Sequence, residues 1–140
     1  MYAKRDWGHA FEYVQGFWAL LNKQDQPNEY IIATQETVTV KEFAELAFRE
    51  AGYTDIEWEG KGVDEKLIDR STGKVLLEID PQFYRPGEVP YLRGSSEKMK
   101  KMLGWEAQVK WKELLSEMLD YDLKLAKMEA QNLMTVMESS

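Results

Sequence analysis

The chain of 140 residues has no cysteine and a single histidine, His9. Disulfides, thiolate nucleophiles and cysteine-ligated zinc are therefore excluded, and so is a histidine-rich metal centre. The lack of cysteine fits a reducing compartment and makes the cytoplasm the expected location. No apolar run approaches the roughly 20 residues that span a bilayer. The N-terminus passes straight into charged residues, so no signal peptide is visible and no membrane partner is expected. Basic residues are in the minority: 18 Lys and Arg stand against 25 Asp and Glu, for a net charge of -7. Nonspecific nucleic-acid binding needs a basic surface and is excluded, although a local basic pocket for a phosphate is not. There is no Gly-x-Gly-x-x-Gly string, no Walker loop, no internal repeat and no low-complexity segment.

What is present describes a packed domain. A hydrophobic content of 44% and an aromatic content of 12% support a real core, and the length suits a single domain of common size. Trp7, Ala10, Phe11, Val14, Trp18 and Leu21 recur at spacings of three and four, which predicts a helix over 6–22 with Asp6 as its N-cap. Tyr30-Ile31-Ile32-Ala33-Thr34 reads as a short buried strand. Thr39-Val40-Lys41-Glu42 is a capping box, flanked by Val38 and Phe43 as a hydrophobic staple, and Gly52 ends that helix. Ile56 to Glu59 alternates as a half-buried strand. Lys66–Arg70 and Lys74–Ile79 flank Ser71-Thr72-Gly73 as a hairpin. Ser95 is placed to cap a short helix closed by Gly104. A last helix runs from about Trp111 to Met137, with Leu114, Leu115, Met118 and Leu119 inward and Ala126, Ala130, Leu133, Met134 and Met137 continuing the period. The expected fold class is mixed α/β (α+β), without a repeating βαβ unit.

Two strings hold the candidate chemistry. Arg5 precedes Asp6 and a helix start, where a guanidinium fork and free backbone N–H groups both favour an anion; Asp6 either orients it or caps the helix. The same arginine also fits an ordinary surface position. Arg85 sits before Pro86, which restricts it to extended backbone. Gly87 permits a reversal, and the carboxylate of Glu88 follows. This is either a rigid loop gripping a phosphate and a sugar hydroxyl or a plain Pro-Gly turn. Together the strings read as two halves of an anion clamp. His9 reads as a satisfied helix histidine, since no cysteine or serine partner is in view. Asp64, Glu65 and Asp69 lack calcium-loop spacing and read as a solvated face. Lys98, Lys100 and Lys101 read as an exposed helix surface, and Met118, Met128, Met134 and Met137 as core or subunit interface.

The strings extend into an ordered series. Ala3-Lys4-Arg5-Asp6-Trp7-Gly8-His9-Ala10, Tyr30 to Thr34, Trp58-Glu59-Gly60 with Gly62-Val63-Asp64-Glu65, Thr72-Gly73-Lys74-Val75, Asp80-Pro81-Gln82-Phe83-Tyr84-Arg85-Pro86-Gly87-Glu88-Val89 and Lys101-Met102-Leu103-Gly104-Trp105 occur in turn. In these the chain resembles the C-terminal part of the GDP-mannose 4,6-dehydratase family of extended short-chain dehydrogenases/reductases, over about residues 3 to 125. The resemblance implies the substrate-binding portion of that fold without its Gly-rich Rossmann half. It implies a nucleotide-sugar-binding domain at 1–125 and a helical tail at 126–140. The family converts GDP-mannose to GDP-4-keto-6-deoxymannose with bound NADP: C4 is oxidised, water leaves across C5–C6, and the hydride returns to C6. The catalytic Thr/Ser, Glu, Tyr and Lys lie in the family's N-terminal portion, and no Tyr-x-x-x-Lys pair occurs here. No catalytic, cofactor-binding or metal-binding residue is therefore expected in these residues, and NADP is expected only in the intact enzyme. By resemblance Arg5 and Arg85 lie near the diphosphate and Glu88 near the ribose.

The implied partners are GDP-mannose or GDP, a Rossmann half or another subunit, and further copies in a homo-oligomer. The expectation is a fragment or split subunit of a lyase that is not catalytic alone. The alternative is a free-standing oligomerisation or interaction module, suggested by Met1 at the junction and the Met-rich last helix. Lys110 stands where the family has a Ser/Thr cap, Gln35 where it has a glycine, and Ser95-Ser96 where it has Asp-Pro. The tail after Leu125 matches poorly.

Overall fold

The structure is a computed structural model; it describes residues 1–85 and 87–138, with side chains through residue 131. Strand β1 (Lys4–Arg5) leads to helix α1 (Ala10–Lys23), β2 (Val38–Thr39) and α2 (Val40–Glu50). Then come β3 (Ile56–Glu59), β4 (Lys66–Asp69), β5 (Lys74–Glu78), α3 (Glu97–Leu103) and α4 (Trp111–Glu138), with single 3-10 turns at Gly62–Asp64 and Pro81–Phe83. The class is mixed α/β, as expected. The chain divides into two compact units, one of Met1–Ala3 and Thr39–Tyr91, the other of Lys4–Val38 and Leu92 onward.

In the first unit, local signals decide the elements. The Thr39 hydroxyl accepts from the Glu42 N–H at 3.0 Å, and the Glu42 carboxylate accepts from the Thr39 N–H at 2.9 Å, completing the capping box. The next orphan donors of α2 are taken by the segment before β1, from Val40 to the Ala3 carbonyl and from Lys41 to that of Met1. Strands β3, β4 and β5 form an antiparallel meander with Trp58 opposite Leu67 and Leu67 opposite Leu77. Gly73, at φ +72°, closes the β4–β5 hairpin. The hairpin owes its shape equally to Asp69. Its carboxylate accepts from the Ser71 N–H and from the hydroxyls of Ser71 and Thr72 at 2.6–3.1 Å.

Two acidic residues depart from the expected solvated face: Glu65 and Asp69 are buried. Glu65 accepts from the Tyr2 hydroxyl at 2.8 Å and lies 2.5 Å from the Lys41 ammonium, which also sits 4.4 Å over the Trp58 ring. Alternation within β4 directs both these side chains and Leu67 to one face. They are buried because each has partners there, which composition does not reveal.

The second unit packs Ala19 of α1 against Met99 and Leu103 of α3, with Trp105 and Ala107. Gly16 lets them approach: a Cβ there would stand 3.1 Å from both Ile32 and Trp105. Glu12 ties the unit over long range. Its carbonyl accepts from the Trp105 indole at 3.0 Å, and its carboxylate takes the N–H groups of Gln108 and Val109 at 2.9 and 3.1 Å. Gly104, at φ +69°, ends α3 as expected.

Several expectations change here. Helix α1 begins at Ala10, capped by His9, whose Nδ1 accepts from the Phe11 N–H at 3.2 Å. Asp6 is instead drawn to residues 34 and 35. Tyr30–Thr34 is not a strand: the N–H groups that a neighbouring strand would take go, at Thr34 and Gln35, to the Asp6 carboxylate. Helix α3 is preceded by Ser96, whose buried hydroxyl makes no cap bond. The apolar stripe of α1 faces outward, with Phe11, Val14, Phe17, Trp18 and Leu21 all more than half exposed, because the opposite side, at Gly16 and Ala19, meets the core. On α4, Leu115 is buried but Met118 is 49% exposed. Leu133, Met134 and Met137 lie outside the described side chains.

Candidate functional site

Arg5 is half-buried in β1, and its guanidinium donates to the Lys4 carbonyl at 2.9 Å. Because α1 starts five residues later with a satisfied cap, Arg5 is not set beside free helical N–H groups as the sequence suggested. Asp6 holds the corner behind it. Oδ1 accepts from the Thr34 N–H at 2.9 Å and the Thr34 hydroxyl at 2.6 Å, and Oδ2 accepts from the Gln35 N–H at 3.0 Å. This fixes Gln35 at φ +68°, the one non-glycine left-handed residue among those described. The glycine expected there by resemblance matches that conformation. Lys110 also reaches this corner, donating to the Thr34 carbonyl at 3.1 Å.

Arg85 and Glu88 belong to the other unit and share one turn, in which the Glu88 N–H donates to the Arg85 carbonyl at 3.1 Å. Both side chains are exposed. The turn follows Pro81–Phe83, where the Asp80 carboxylate caps the Gln82 N–H at 2.8 Å. Gly87 stays out of the left-handed region and a Cβ there would meet nothing, so the reversal does not itself demand glycine. Pro86 lies outside the described residues. Phe83, Tyr84 and Tyr91 are about half exposed or more. Exposed aromatic residues close in sequence to an arginine suit a nucleotide, since aromatic faces stack bases and arginine pairs with phosphate. The Phe-Tyr-Arg spelling carried that signal, and the sequence reading passed over it.

The remaining candidates are committed to structure. His9 accepts at Nδ1, so the hydrogen of the neutral ring is on Nε2, 3.4 Å from Glu117. Lys98 binds Asn28 Oδ1 and the Glu29 carbonyl at 2.7 and 2.8 Å, and Lys100 pairs with Glu106 at 2.7 Å. The sequence reading missed the Tyr2–Lys41–Glu65 cluster. Burial opposes the charge on each partner. The hydrogen bonds outweigh it, so the Glu65 carboxyl lies below the usual range and the Lys41 ammonium above its own. No described helix is long and apolar enough to cross a membrane.

Comparison with known proteins covers most of the chain. The family model described as GDP-mannose 4,6 dehydratase matches residues 1–118. A GDP-mannose 4,6-dehydratase of Sinorhizobium fredii (strain HH103) is 46% identical over 121 residues, covering 86% of this chain and 34% of that protein. The Homo sapiens GDP-mannose 4,6 dehydratase is 43% identical over 125 residues, covering 89% and 33%. The chain thus spans about a third of the length of the curated relatives it matches. Two solved structures share its fold. RMD from Pseudomonas aeruginosa, complexed with NADPH, has a TM-score of 0.59 at 19% identity, over 85% of this chain and 32% of that one. UDP-glucose 4-epimerase from Bifidobacterium longum, in complex with NAD+ and UDP, has a TM-score of 0.60 at 20% identity, over 87% and 30%.

Proposed function

Because the chain belongs to the GDP-mannose 4,6-dehydratase family, we propose that residues 1–125 hold the GDP-sugar, with 126–140 as a helical tail. In this reading GDP-mannose or GDP is the ligand, Arg5 and Arg85 face the diphosphate, and Glu88 accepts from a ribose hydroxyl. The observation that carries it is the Arg85–Glu88 turn, which presents a guanidinium and a carboxylate three residues apart on exposed backbone among exposed aromatic rings. Catalysis of the GDP-mannose to GDP-4-keto-6-deoxymannose conversion belongs to other parts of the family's polypeptide.

NADP does not fit the residues present. The described sheet of β3, β4 and β5 is antiparallel, and among the described residues no strand leads through a Gly-rich loop into a helix that would receive a pyrophosphate. The exposed stripe of Phe11, Val14, Phe17, Trp18 and Leu21 supports the matching partner, a Rossmann-type cofactor-binding part that covers it. A cytoplasmic location belongs to the same reading.

Calorimetric titration of the 140-residue chain with GDP, GDP-mannose and UDP tests the assignment. Guanine ligands are expected to bind in the millimolar range. Arg5→Ala and Arg85→Ala are each expected to weaken them about 10-fold or more, the worth of a charge-assisted hydrogen bond. Binding unchanged in both variants, or no binding with ligand at several millimolar, refutes the grip. Dehydratase turnover by the chain alone refutes the assignment of catalysis elsewhere.

A further inference from the structure

Helix α4 has a feature that the nucleotide-sugar reading does not use. From Asp120 to Gln131 every residue is exposed, although the helix continues unbroken to Glu138. A segment of that length is marginal in water unless one face is covered. Along it and the turn before it, Met118, Tyr121, Leu125 and Met128 are each more than two-fifths exposed and share one face with Leu114, while Leu123, 39% exposed, points away from that face. The spacings are four, three, four and three, the 3.5-residue period of a helix that packs along another helix. Outer positions of this seam are charged: Glu117 and Lys124 on one side, Asp122 and Glu129 on the other. The family model's match ends at residue 118, within the seam, and relatives align over up to 93% of the chain.

We propose that two copies of this chain pair through α4 in antiparallel orientation, with Met118 layered on the partner's Tyr121 and Leu114 on the partner's Leu125. Charge selects this arrangement. In an antiparallel pair the outer positions meet their own kind across the seam. The Met118–Tyr121 layering brings Glu117 to the partner's Lys124, and symmetry repeats the contact, giving two ion pairs. Sliding the helices by one heptad sets Lys124 against the partner's Lys124 and Asp122 against the partner's Asp122. A parallel pair sets Glu117 against the partner's Asp122, which cancels the attraction it gains between Lys124 and the partner's Glu129. A cleft of about 260 Å³, lined by His9, Leu114, Glu117, Met118, Tyr121 and Asp122, opens on the same face. It offers a hole for the knobs of the partner helix near the middle of the pairing. The occupant is a second copy because the seam is complementary to itself.

Sedimentation velocity of the full 140-residue chain, from low micromolar to several hundred micromolar, tests the proposal, with circular dichroism to confirm that each variant is folded. The chain is expected to sediment as a dimer. Leu125→Glu, at an exposed position, is expected to leave a folded monomer. Lys124→Glu turns both attractive pairs repulsive and is expected to weaken dimerisation about 10-fold. The double variant Glu117→Lys with Lys124→Glu is expected to restore it, because the charges are exchanged and still opposed. A monomer at all concentrations overturns the proposal, as does a dimer indifferent to Leu125→Glu. A dimer that Lys124→Glu weakens and the double variant fails to restore overturns the antiparallel register.

Discussion

Replacement of Asp6 tests the corner behind Arg5. The carboxylate accepts three hydrogen bonds, at 2.9 and 2.6 Å from the Thr34 N–H and hydroxyl and at 3.0 Å from the Gln35 N–H. Thr34 is only 2% exposed, so water cannot replace what Asp6 supplies. A hydrogen bond to a charged group contributes about 1.5–3 kcal/mol. These three share one half-buried carboxylate and do not add fully, so Asp6→Ala is expected to cost about 3–4 kcal/mol. Asp6→Asn keeps one oxygen for Thr34 but turns an amide N–H toward that of Gln35, for a loss of about 1–2 kcal/mol. Gln35 supplies the counterpart. At φ +68° it carries about 1–2 kcal/mol of left-handed strain. Gln35→Gly removes that but costs about 0.5–1 kcal/mol of chain entropy, leaving a net gain of about 0.5–1 kcal/mol. Urea denaturation followed by tryptophan fluorescence reads all three, and the m-value is expected to stay constant. An Asp6→Ala variant within about 0.5 kcal/mol of the parent, or Gln35→Gly less stable than the parent, refutes the account of this corner.

Two further perturbations follow from the packing. The Glu65 carboxyl is held below its unfolded value, so its stabilisation is present above about pH 4.3 and is lost as pH falls through the lower folded value. Lys41 is raised, so its share is present below about pH 10.4 and is lost as pH rises through the higher folded value. Both shifts describe one interaction and are counted once. Glu65→Gln is expected to lower stability at neutral pH by about 2–3 kcal/mol, below the full cost of breaking a buried pair because Lys41 keeps some exposure. It is also expected to flatten the acid limb of denaturation curves measured from pH 3 to 7. An unchanged acid limb contradicts the role given to Glu65. Gly16→Val places a branched side chain against Ile32 and Trp105, where a Cβ alone stands at 3.1 Å. It is expected to cost at least about 1–3 kcal/mol in thermal or urea unfolding, and a neutral result means that the α1–Trp105 contact is looser than described.

Elements that depend on a few adjacent residues were legible. The Thr39–Glu42 box, the Gly73 hairpin and the Gly104 stop each use side chains within four residues of the backbone they satisfy. Asp6, Glu65 and Asp69 were misread because a carboxylate's burial depends on donors that lie elsewhere. Asp69 finds its donors two and three residues on, Glu65 finds Lys41, and Asp6 reaches across 28 positions to Thr34. The strand expected at Tyr30–Thr34 failed for the same reason, since a strand exists only with a neighbour. At the candidate site, the Arg85–Glu88 turn was readable as a motif, whereas the half-burial of Arg5 and the cap made by His9 were not.

Periodicity misled in one instructive way. It identified the apolar face of α1 but could not say that it faces outward, and on α4 it placed Leu115 inward correctly but Met118 wrongly and did not mark the outward Tyr121, Leu125 and Met128. What distinguishes the two outward faces is the residues at their margins. On α1 the stripe Phe11, Val14, Trp18 and Leu21 is bordered by Ala10, Gln15, Phe17 and Asn22, none of them charged. A broad apolar face with uncharged margins suits burial against a large surface, and it lies within the residues that match the family. On α4 the seam is narrow and edged by Glu117, Asp122, Lys124 and Glu129. A charged margin makes burial under a sheet or domain costly, because those side chains would be desolvated without partners. It leaves room for one helix, whose own charges then select register and direction. The two faces therefore call for different occupants, and substitutions on one should leave binding at the other unchanged: Leu125→Glu abolishes self-association, while Leu21→Lys leaves the α4 dimer intact.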